Sequence, residues 1–166
     1  MESLIIKVTE YNDLVNIRDL WNDKEVMKHV GFPQGLNITL DELIQWLTKV
    51  KENPKREHFS IYHMDFGFCG ETHFRVDEHG YGAMDIKLLP VARGRNIAYL
   101  ALSYAIEQAF LKGQAEIVYV DPHPDNYKAW KLYEKLGFEI ADVPDHLDVG
   151  STFQILRREA WLDRSR

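Results

Sequence analysis

The chain has 166 residues, of which 45% are hydrophobic and 28% charged, and its formal net charge is −6 at pH 7. Because this length is typical of one folded unit with one core, we expect a single domain over residues 1–166. The negative charge argues against a general nucleic-acid-binding protein, and no apolar run approaches the roughly 20 residues that span a membrane.

The first half of the chain predicts one strand, two helices and then three strands. Residues 4–8 are short and β-branched, as in a strand, whereas apolar residues recur at helical spacing over 11–22. The glycines and the proline of 30–35 favour a loop. Thr39 and Glu42 form a capping box, which predicts a second helix behind them. An antiparallel meander is predicted next, with strands at 58–64, 68–76 and 83–89.

The second half of the chain alternates helices and strands. From Ile97 onwards apolar residues recur with a helical period, and Gly113 is placed as a C-terminal stop. The remaining predicted elements are a strand at 116–120, a helix at 125–136 and strands at 138–143 and 151–156. A run of strands that continues into β-α-β units predicts an α/β fold, with a mixed central sheet of about seven strands and helices on both faces.

The turn Arg93-Gly94-Arg95-Asn96-Ile97-Ala98 connects the strand that ends at Leu89 directly to a helix. Free N–H groups of a first helical turn, together with the helix dipole, make an anion-binding site. Gly94 lets a ligand approach the backbone, and Arg93 and Arg95 add positive charge to an acidic protein. A pyrophosphate fits this site, although a plain surface turn explains the same residues equally well.

A second motif lies on the predicted helix 125–136, with Asn126 at its start and Tyr133 two turns later. The two stretches resemble motifs A and B of the GNAT (Gcn5-related N-acetyltransferase) superfamily, written Arg/Gln-x-x-Gly-x-Gly/Ala and Asn-x-x-Ala-x-x-x-Tyr-x-x-Leu-Gly-Phe. Motif B matches throughout. In motif A, Asn96 replaces a central glycine, and asparagine tolerates left-handed backbone better than most residues. Segments 20–26 and 154–161 also resemble the branch of ribosomal-protein N-terminal acetyltransferases.

The resemblance implies a sheet that splays between its fourth and fifth strands, with acetyl-CoA as co-substrate in the opening and no metal. It implies that backbone groups of Leu88 and Leu89 pair with the pantetheine. The amides from Gly94 to Ala98 would hold the pyrophosphate, and Asn126 would contact the pantetheine arm. Tyr133 would direct its hydroxyl at the thioester sulfur.

The chemistry of acetyl transfer indicates how much help each group must give. A lysine-like amine, with a pKa of about 10.4, must lose a proton at a cost of roughly 4.6 kcal/mol at pH 7 unless a base assists. A leaving thiolate comparable to cysteine, with a pKa of about 8.5, needs less help. Since tyrosine is a weaker acid, with a pKa of about 10, we expect loss of Tyr133 to slow the reaction without abolishing it.

The general base has three candidates on the predicted strands, namely Glu71, His73 and Asp85. Glu71 and His73 share one face of their strand because side chains alternate with a period of two. Each of the three residues has an ordinary explanation as a strand residue that faces solvent. A base that acts through ordered water is also compatible with the family.

The compartment and partners follow from what the sequence lacks. The start, Met1–Leu4, has no basic or apolar stretch typical of a signal peptide, and Cys69 is the only cysteine. We therefore expect a cytoplasmic protein without a disulfide or membrane partner. The histidines show no metal-ligand spacing. The acidic segment 142–148 favours a cationic amine acceptor, small or peptidic, and a homodimer is possible.

Two other functions are compatible with parts of the sequence. A nucleotide-binding oxidoreductase would use 94–98 as a degenerate Rossmann turn, but the repeated glycines are missing and the second motif stays unexplained. A non-catalytic acyl-CoA-binding regulatory module on the same fold accounts for both motifs. The main expectation is transfer of an acetyl group from acetyl-CoA to a primary amine, by direct attack on the thioester.

Overall fold

A computed structural model describes residues 3–164 and contains strands and helices in nearly the predicted order. The strands are β1 (Leu4–Val8), β2 (Arg56–His63), β3 (Gly67–Val76), β4 (Tyr81–Leu88), β5 (Ile117–Val120), β6 (Glu139–Ile140) and β7 (Gln154–Arg157). The helices are α1 (Leu14–Asn22), α2 (Lys24–Met27), α3 (Leu40–Glu52), α4 (Ile97–Leu111), α5 (Tyr127–Leu136) and α6 (Arg158–Arg164). Short 3-10 turns lie at Tyr11–Asp13, Lys28–Val30 and Pro90–Ala92.

The strands form one mixed sheet of seven strands in the order β1-β2-β3-β4-β5-β7-β6. Neighbouring strands are antiparallel except β4 and β5, which run parallel. These two strands pair only from Tyr81 to Ala83 on β4, although β4 continues to Leu88. The sheet therefore opens between β4 and β5, and the predicted mixed, splayed fold is confirmed.

Helices cover both faces of the sheet, and each face has its own core. Phe59 and Phe74 pack with Leu102 and Phe110 of α4 on one face, which we call the α4 face. On the other face, which we call the α1 face, Leu14 and Ile17 of α1 pack with residues of α3. Because side chains alternate along a strand, the neighbours of Phe74 on β3, His73 and Arg75, point to the α1 face.

Several local signals have the structural role that their sequence predicts. The Thr39 side chain accepts the Glu42 N–H at the start of α3, and the Glu42 carboxylate accepts the Thr39 N–H in return. Gly137 ends α5 in the left-handed conformation, with φ at 97°. Gly113 is different, because a Cβ there would lie 2.8 Å from the Phe74 ring. Close packing, rather than a left-handed cap, explains this glycine.

The end of the chain departs from the prediction in two elements. Strand β6 has two residues where 138–143 was predicted, because the Phe138 N–H donates to the Tyr133 carbonyl at 3.0 Å and closes α5. Helix α6 was not predicted at all, and its Arg164 guanidinium binds the carbonyl of Leu136. The last helix is thus fixed by a contact with a distant part of the sequence.

No helix among residues 3–164 combines the length and apolar character that crossing a bilayer requires.

We expect Gly70→Ala to lower the free energy of unfolding by about 3 kcal/mol. Gly70 lies at a bulge in β3 with φ at +152°, and an added Cβ would lie 2.0 Å from the Lys87 carbonyl oxygen on β4. Urea unfolding measures the loss, with Gly67→Ala as the control. Gly67 has φ at +72° and open space around it, so its loss should be about 1 kcal/mol. Equal losses would contradict the steric explanation.

Candidate active site

The gap between β4 and β5 exposes one edge of β4 from Met84 to Leu88. Backbone groups of successive strand residues point to opposite edges. The Leu89 N–H donates to the Cys69 carbonyl of β3 at 2.8 Å, and the Leu89 carbonyl accepts the Ala92 N–H at 3.0 Å. The expectation that the Leu89 N–H pairs with pantetheine is therefore corrected, because that N–H is taken by β3. Leu88 faces the gap instead.

The turn at 93–98 has the backbone geometry that an anion site requires. Gly94 and Asn96 both have left-handed backbones, with φ at +72° and 61°. Asn96 is the residue that precedes α4, so the first N–H groups of the helix, from Ile97 and Ala98 onwards, lack intrahelical partners. Asparagine thus adopts the conformation for which glycine is otherwise selected, and the shape of the turn is retained.

Both arginines of the turn are exposed and donate to nearby backbone carbonyls. The Arg93 guanidinium lies 3.2 and 3.3 Å from the Leu88 carbonyl oxygen. Arg95 donates to the Val91 carbonyl at 3.1 Å and lies 4.4 Å from the centre of the Phe66 ring. Both cations lie beside the start of α4, where they add to its positive end.

A further cation near this turn, Lys135, was missed by the sequence analysis. Its ammonium donates to the Asn96 side-chain oxygen at 3.3 Å and lies 4.2 Å from the centre of the Tyr99 ring. Lys135 lies in the last turn of α5, within the second motif. Only the packing of α5 against α4 brings it to the turn at 93–98.

Helix α5 positions Asn126 and Tyr133, the two residues of the second motif for which a role was predicted. The Asn126 side chain accepts the Ala129 N–H at 3.3 Å, so Asn126 caps the helix. Tyr133 is buried, with 6% of its surface exposed, and packs against Phe138. Burial raises the pKa of the Tyr133 hydroxyl, and the negative charge of Asp85 raises it further. The Tyr133 hydroxyl therefore stays protonated at neutral pH.

Asp85 lies on β4 two residues beyond the last pair with β5, at the mouth of the gap. One of its carboxylate oxygens accepts the Ile86 N–H at 2.9 Å, and the other binds the Lys87 ammonium. Its side chain is 32% exposed, so a substrate can reach it. The Asp85 charge also reaches the Tyr133 phenol of α5 and raises its pKa, so the fold brings two residues that were predicted separately near each other.

Glu71 is placed differently from its prediction as a base. The side chain is 1% exposed, because α1 and α3 cover this face of the sheet. Its oxygens bind the His58 ring and the Trp21 indole N–H, each at 2.8 Å. Burial by itself raises the pKa of Glu71, but His58 and Lys87 outweigh it and hold the pKa well below its usual range. The role of base in contact with an amine is therefore corrected.

His73 is partly buried and packs against this layer. Its ring stacks on the His58 ring, with 6.1 Å between centres and an angle of 14° between planes. Burial lowers the pKa of His73 to about 4, against the opposing charge of Asp85. A neutral imidazole with so low a pKa is a weak base at neutral pH. Of the three candidates, Asp85 is the one that is both a carboxylate and accessible.

Acidic residues lie in the loop at 141–153 and at the strand ends that this loop contacts. The loop at 141–153 is held at two points, since Asp121 accepts the Gly150 N–H at 2.6 Å and His146 lies 3.0 Å from Asp77. His146 also packs edge-on against Tyr81 at the foot of β4, with 5.0 Å between ring centres. The predicted acidic segment 142–148 therefore folds toward the strands that bound the gap. Its charges and those of Asp77 and Asp121 favour a cationic ligand.

Three comparisons relate this chain to known proteins. A family model described as "Acetyltransferase (GNAT) domain" matches residues 3–139. A curated protein of Arabidopsis thaliana, GCN5-related N-acetyltransferase 6, chloroplastic, is 37% identical over 76 residues. That match covers 46% of this chain and 26% of the plant protein.

Solved structures with the same fold include a spermidine N-acetyltransferase of Vibrio cholerae in complex with CoA and spermine. Its TM-score is 0.81 at 19% identity, with 98% of this chain and 99% of that chain covered. A dodecameric structure of the Vibrio enzyme in an intermediate state gives a TM-score of 0.78 at 19% identity and covers all of both chains. At this identity the likeness concerns the fold.

Proposed function

The chain belongs to the GNAT acetyltransferase family, and on that premise we propose that it transfers an acetyl group from acetyl-CoA to a primary amine. The observation that carries the proposal is the position of Asp85 on the exposed edge of β4, close enough to Tyr133 of α5 for its charge to raise the pKa of that hydroxyl. A binding module needs the turn alone. A base and a hydrogen-bond donor close to each other are what acyl transfer to an amine requires.

The proposed cofactor site uses the β4 edge and the start of α4. Pantetheine would pair with the backbone of Leu88, beside Asn126 at the start of α5. The pyrophosphate would bind the N–H groups from Gly94 to Ala98, with Arg93, Arg95 and Lys135 as its counter-charges. A left-handed glycine, a left-handed asparagine and the free end of a helix fit such a group.

The proposed reaction is one displacement. The amine nitrogen attacks the thioester carbonyl, the C–N bond forms, and the C–S bond breaks as the electron pair goes to sulfur. Asp85 takes the proton that nitrogen must lose, directly or through a water molecule. The Tyr133 hydroxyl donates a hydrogen bond to the departing sulfur, which leaves as a thiolate and takes up a proton from water.

We propose that the acceptor carries more than one positive charge. The acidic loop at 141–153, with Asp77 and Asp121 beneath it, supports this class of amine. The likeness in fold to a Vibrio enzyme solved with spermine agrees with it.

A buried lone cysteine is compatible with the proposed cytoplasmic location.

The test is CoA release from acetyl-CoA with matched amines, namely spermine, spermidine, propylamine and a short peptide with a free N-terminus. We expect kcat/KM to be at least about tenfold higher for the polyamines, and the preference to shrink as salt screens the acidic loop. Equal turnover of propylamine would contradict the polycationic class. If no amine is acetylated but CoA still raises the melting temperature, the result would contradict the enzyme and support a regulatory acyl-CoA-binding module.

We expect Asn96→Gly to leave CoA affinity within about threefold, because Asn96 already has the backbone that glycine would adopt. Asn96→Val should weaken CoA binding by about tenfold, since a β-branched residue resists the left-handed region. Calorimetric titration of CoA measures both affinities. Retained binding by the valine variant would show that the turn at 93–98 does not hold the pyrophosphate.

A further inference from the structure

The α1 face contains a continuous chain of buried polar side chains that the proposed reaction leaves unexplained. Thr9 lies 2.8 Å from one His58 ring nitrogen and 2.7 Å from the Ser60 hydroxyl. The other His58 nitrogen binds Glu71, which also faces the Lys87 ammonium at 3.4 Å. Lys87 in turn binds Asp85. The chain starts in the core and ends at the mouth of the gap.

Exposure rises steadily along the ionic part of this chain. The side chains of Glu71, Lys87 and Asp85 are 1%, 12% and 32% exposed. Burial acts to lower the pKa of Lys87, but the charges of Asp85 and Glu71 outweigh it and raise the pKa above its ordinary value. Lys87 therefore stays a cation. Its ammonium lies between the buried Glu71 carboxylate and the more exposed Asp85 carboxylate, the candidate base.

Glu71 is well suited to anchor Lys87. The Trp21 indole on α1 and the His58 ring on β2 hold its two oxygens, so strands and a helix together determine its orientation. Buried ion pairs are often replaceable by apolar residues without loss of stability. The placement of this one, with its open end at the candidate base, is explained better by a role in the reaction than by stability.

We propose that Lys87 is a positioning residue for Asp85, with Glu71 as its anchor. The Lys87 ammonium and the Ile86 N–H each hold one Asp85 oxygen, which fixes the carboxylate at the edge of β4 where the amine must lose its proton. The inference rests on the proposed function. Lys87 contacts neither acetyl-CoA nor amine, and acts only through Asp85.

The experiment compares Lys87→Met, Lys87→Arg and Lys7→Met. Lys7 serves as the control. It lies on β1, two strands from β3 in the sheet order, and its ammonium pairs with buried Asp13 at 3.0 Å. We expect Lys87→Met to lower kcat by about 30-fold to 100-fold, with the KM for acetyl-CoA unchanged, because a base displaced by 1 Å can lose that much. Lys87→Arg should recover kcat to within about fivefold, and Lys7→Met should retain it.

A double-mutant cycle separates this role from a structural one. If Lys87 acts through Asp85, Lys87→Met costs nothing further in an Asp85→Asn background. If the kcat losses of the two single variants multiply in the double variant, the proposal is overturned. Full kcat in Lys87→Met would also overturn it. So would equal losses of kcat and of melting temperature in the Lys87→Met and Lys7→Met variants. A fully active Asp85→Asn variant would contradict the assignment of Asp85 as the base. An active Lys87→Met variant beside an inactive Asp85→Asn variant would contradict only the role of Lys87.

Discussion

Replacing Asp85 by asparagine is expected to lower kcat/KM for the amine by about 100-fold to 1000-fold at pH 7. The variant lacks the proposed base, the Asp85 carboxylate, so the amine must lose its proton to bulk water before it attacks. An amine with a pKa of about 10.4 is only a few parts in ten thousand neutral at pH 7. The residual kcat/KM should therefore rise about tenfold for each pH unit up to that pKa.

The measurement is kcat/KM for the preferred amine from pH 6.5 to 9.5. The native enzyme should show a shallower rise, because its own carboxylate takes the proton. Asp65→Asn serves as the control, since Asp65 is 77% exposed in the turn between β2 and β3. Parallel profiles for the native and Asp85→Asn enzymes would exclude Asp85 as the base and leave ordered water in that role.

Replacing Tyr133 by phenylalanine is expected to lower kcat by about 100-fold and leave CoA affinity unchanged. A tyrosine with an ordinary pKa of about 10 is a weaker acid than a thiol of about 8.5, so proton transfer to sulfur is already uphill by about 2 kcal/mol. Burial and Asp85 raise the pKa of Tyr133 further. Its contribution is then a hydrogen bond to the sulfur as charge develops, and the variant keeps measurable activity.

The pH dependence of kcat tests this role of Tyr133. A raised pKa means that Tyr133 stays protonated throughout the working range, so its loss should scale kcat down without moving the pH profile. Tyr127→Phe is the control on the same helix, because Tyr127 is 72% exposed. A Tyr133→Phe enzyme with native kcat, or one that lost an alkaline limb of the profile, would contradict the assignment.

The order of elements was predictable because local rules dominate it. Thr39 and Glu42 determine the start of α3 through a capping box, and Gly137 ends α5 because it adopts φ at 97° without strain. Alternation of side chains predicted that Glu71 and His73 share one face of β3. The same rule places Lys87 beside Asp85 on one face of β4, a signal that the sequence analysis did not use.

Other predictions failed where a distant contact decided the outcome. Leu89 was expected to face pantetheine, but its N–H donates to the Cys69 carbonyl, and nothing in its own neighbourhood specifies that bond. Glu71 was expected to act as a base, with a solvent-facing position as the alternative, and neither holds because α1 and α3 cover it. Helix α6 depends on a contact between Arg164 and Leu136.

The sequence by itself determined the class of fold, the family and the turn at 93–98, because short motifs and apolar periods encode these within a few residues. Only the tertiary structure decided which polar side chains can meet a substrate. Asp85 and Tyr133 lie far apart in the sequence, and only the fold brings the Asp85 charge close enough to raise the pKa of the Tyr133 hydroxyl. Accessibility and charge depend on what packs over each residue, which no local pattern specifies.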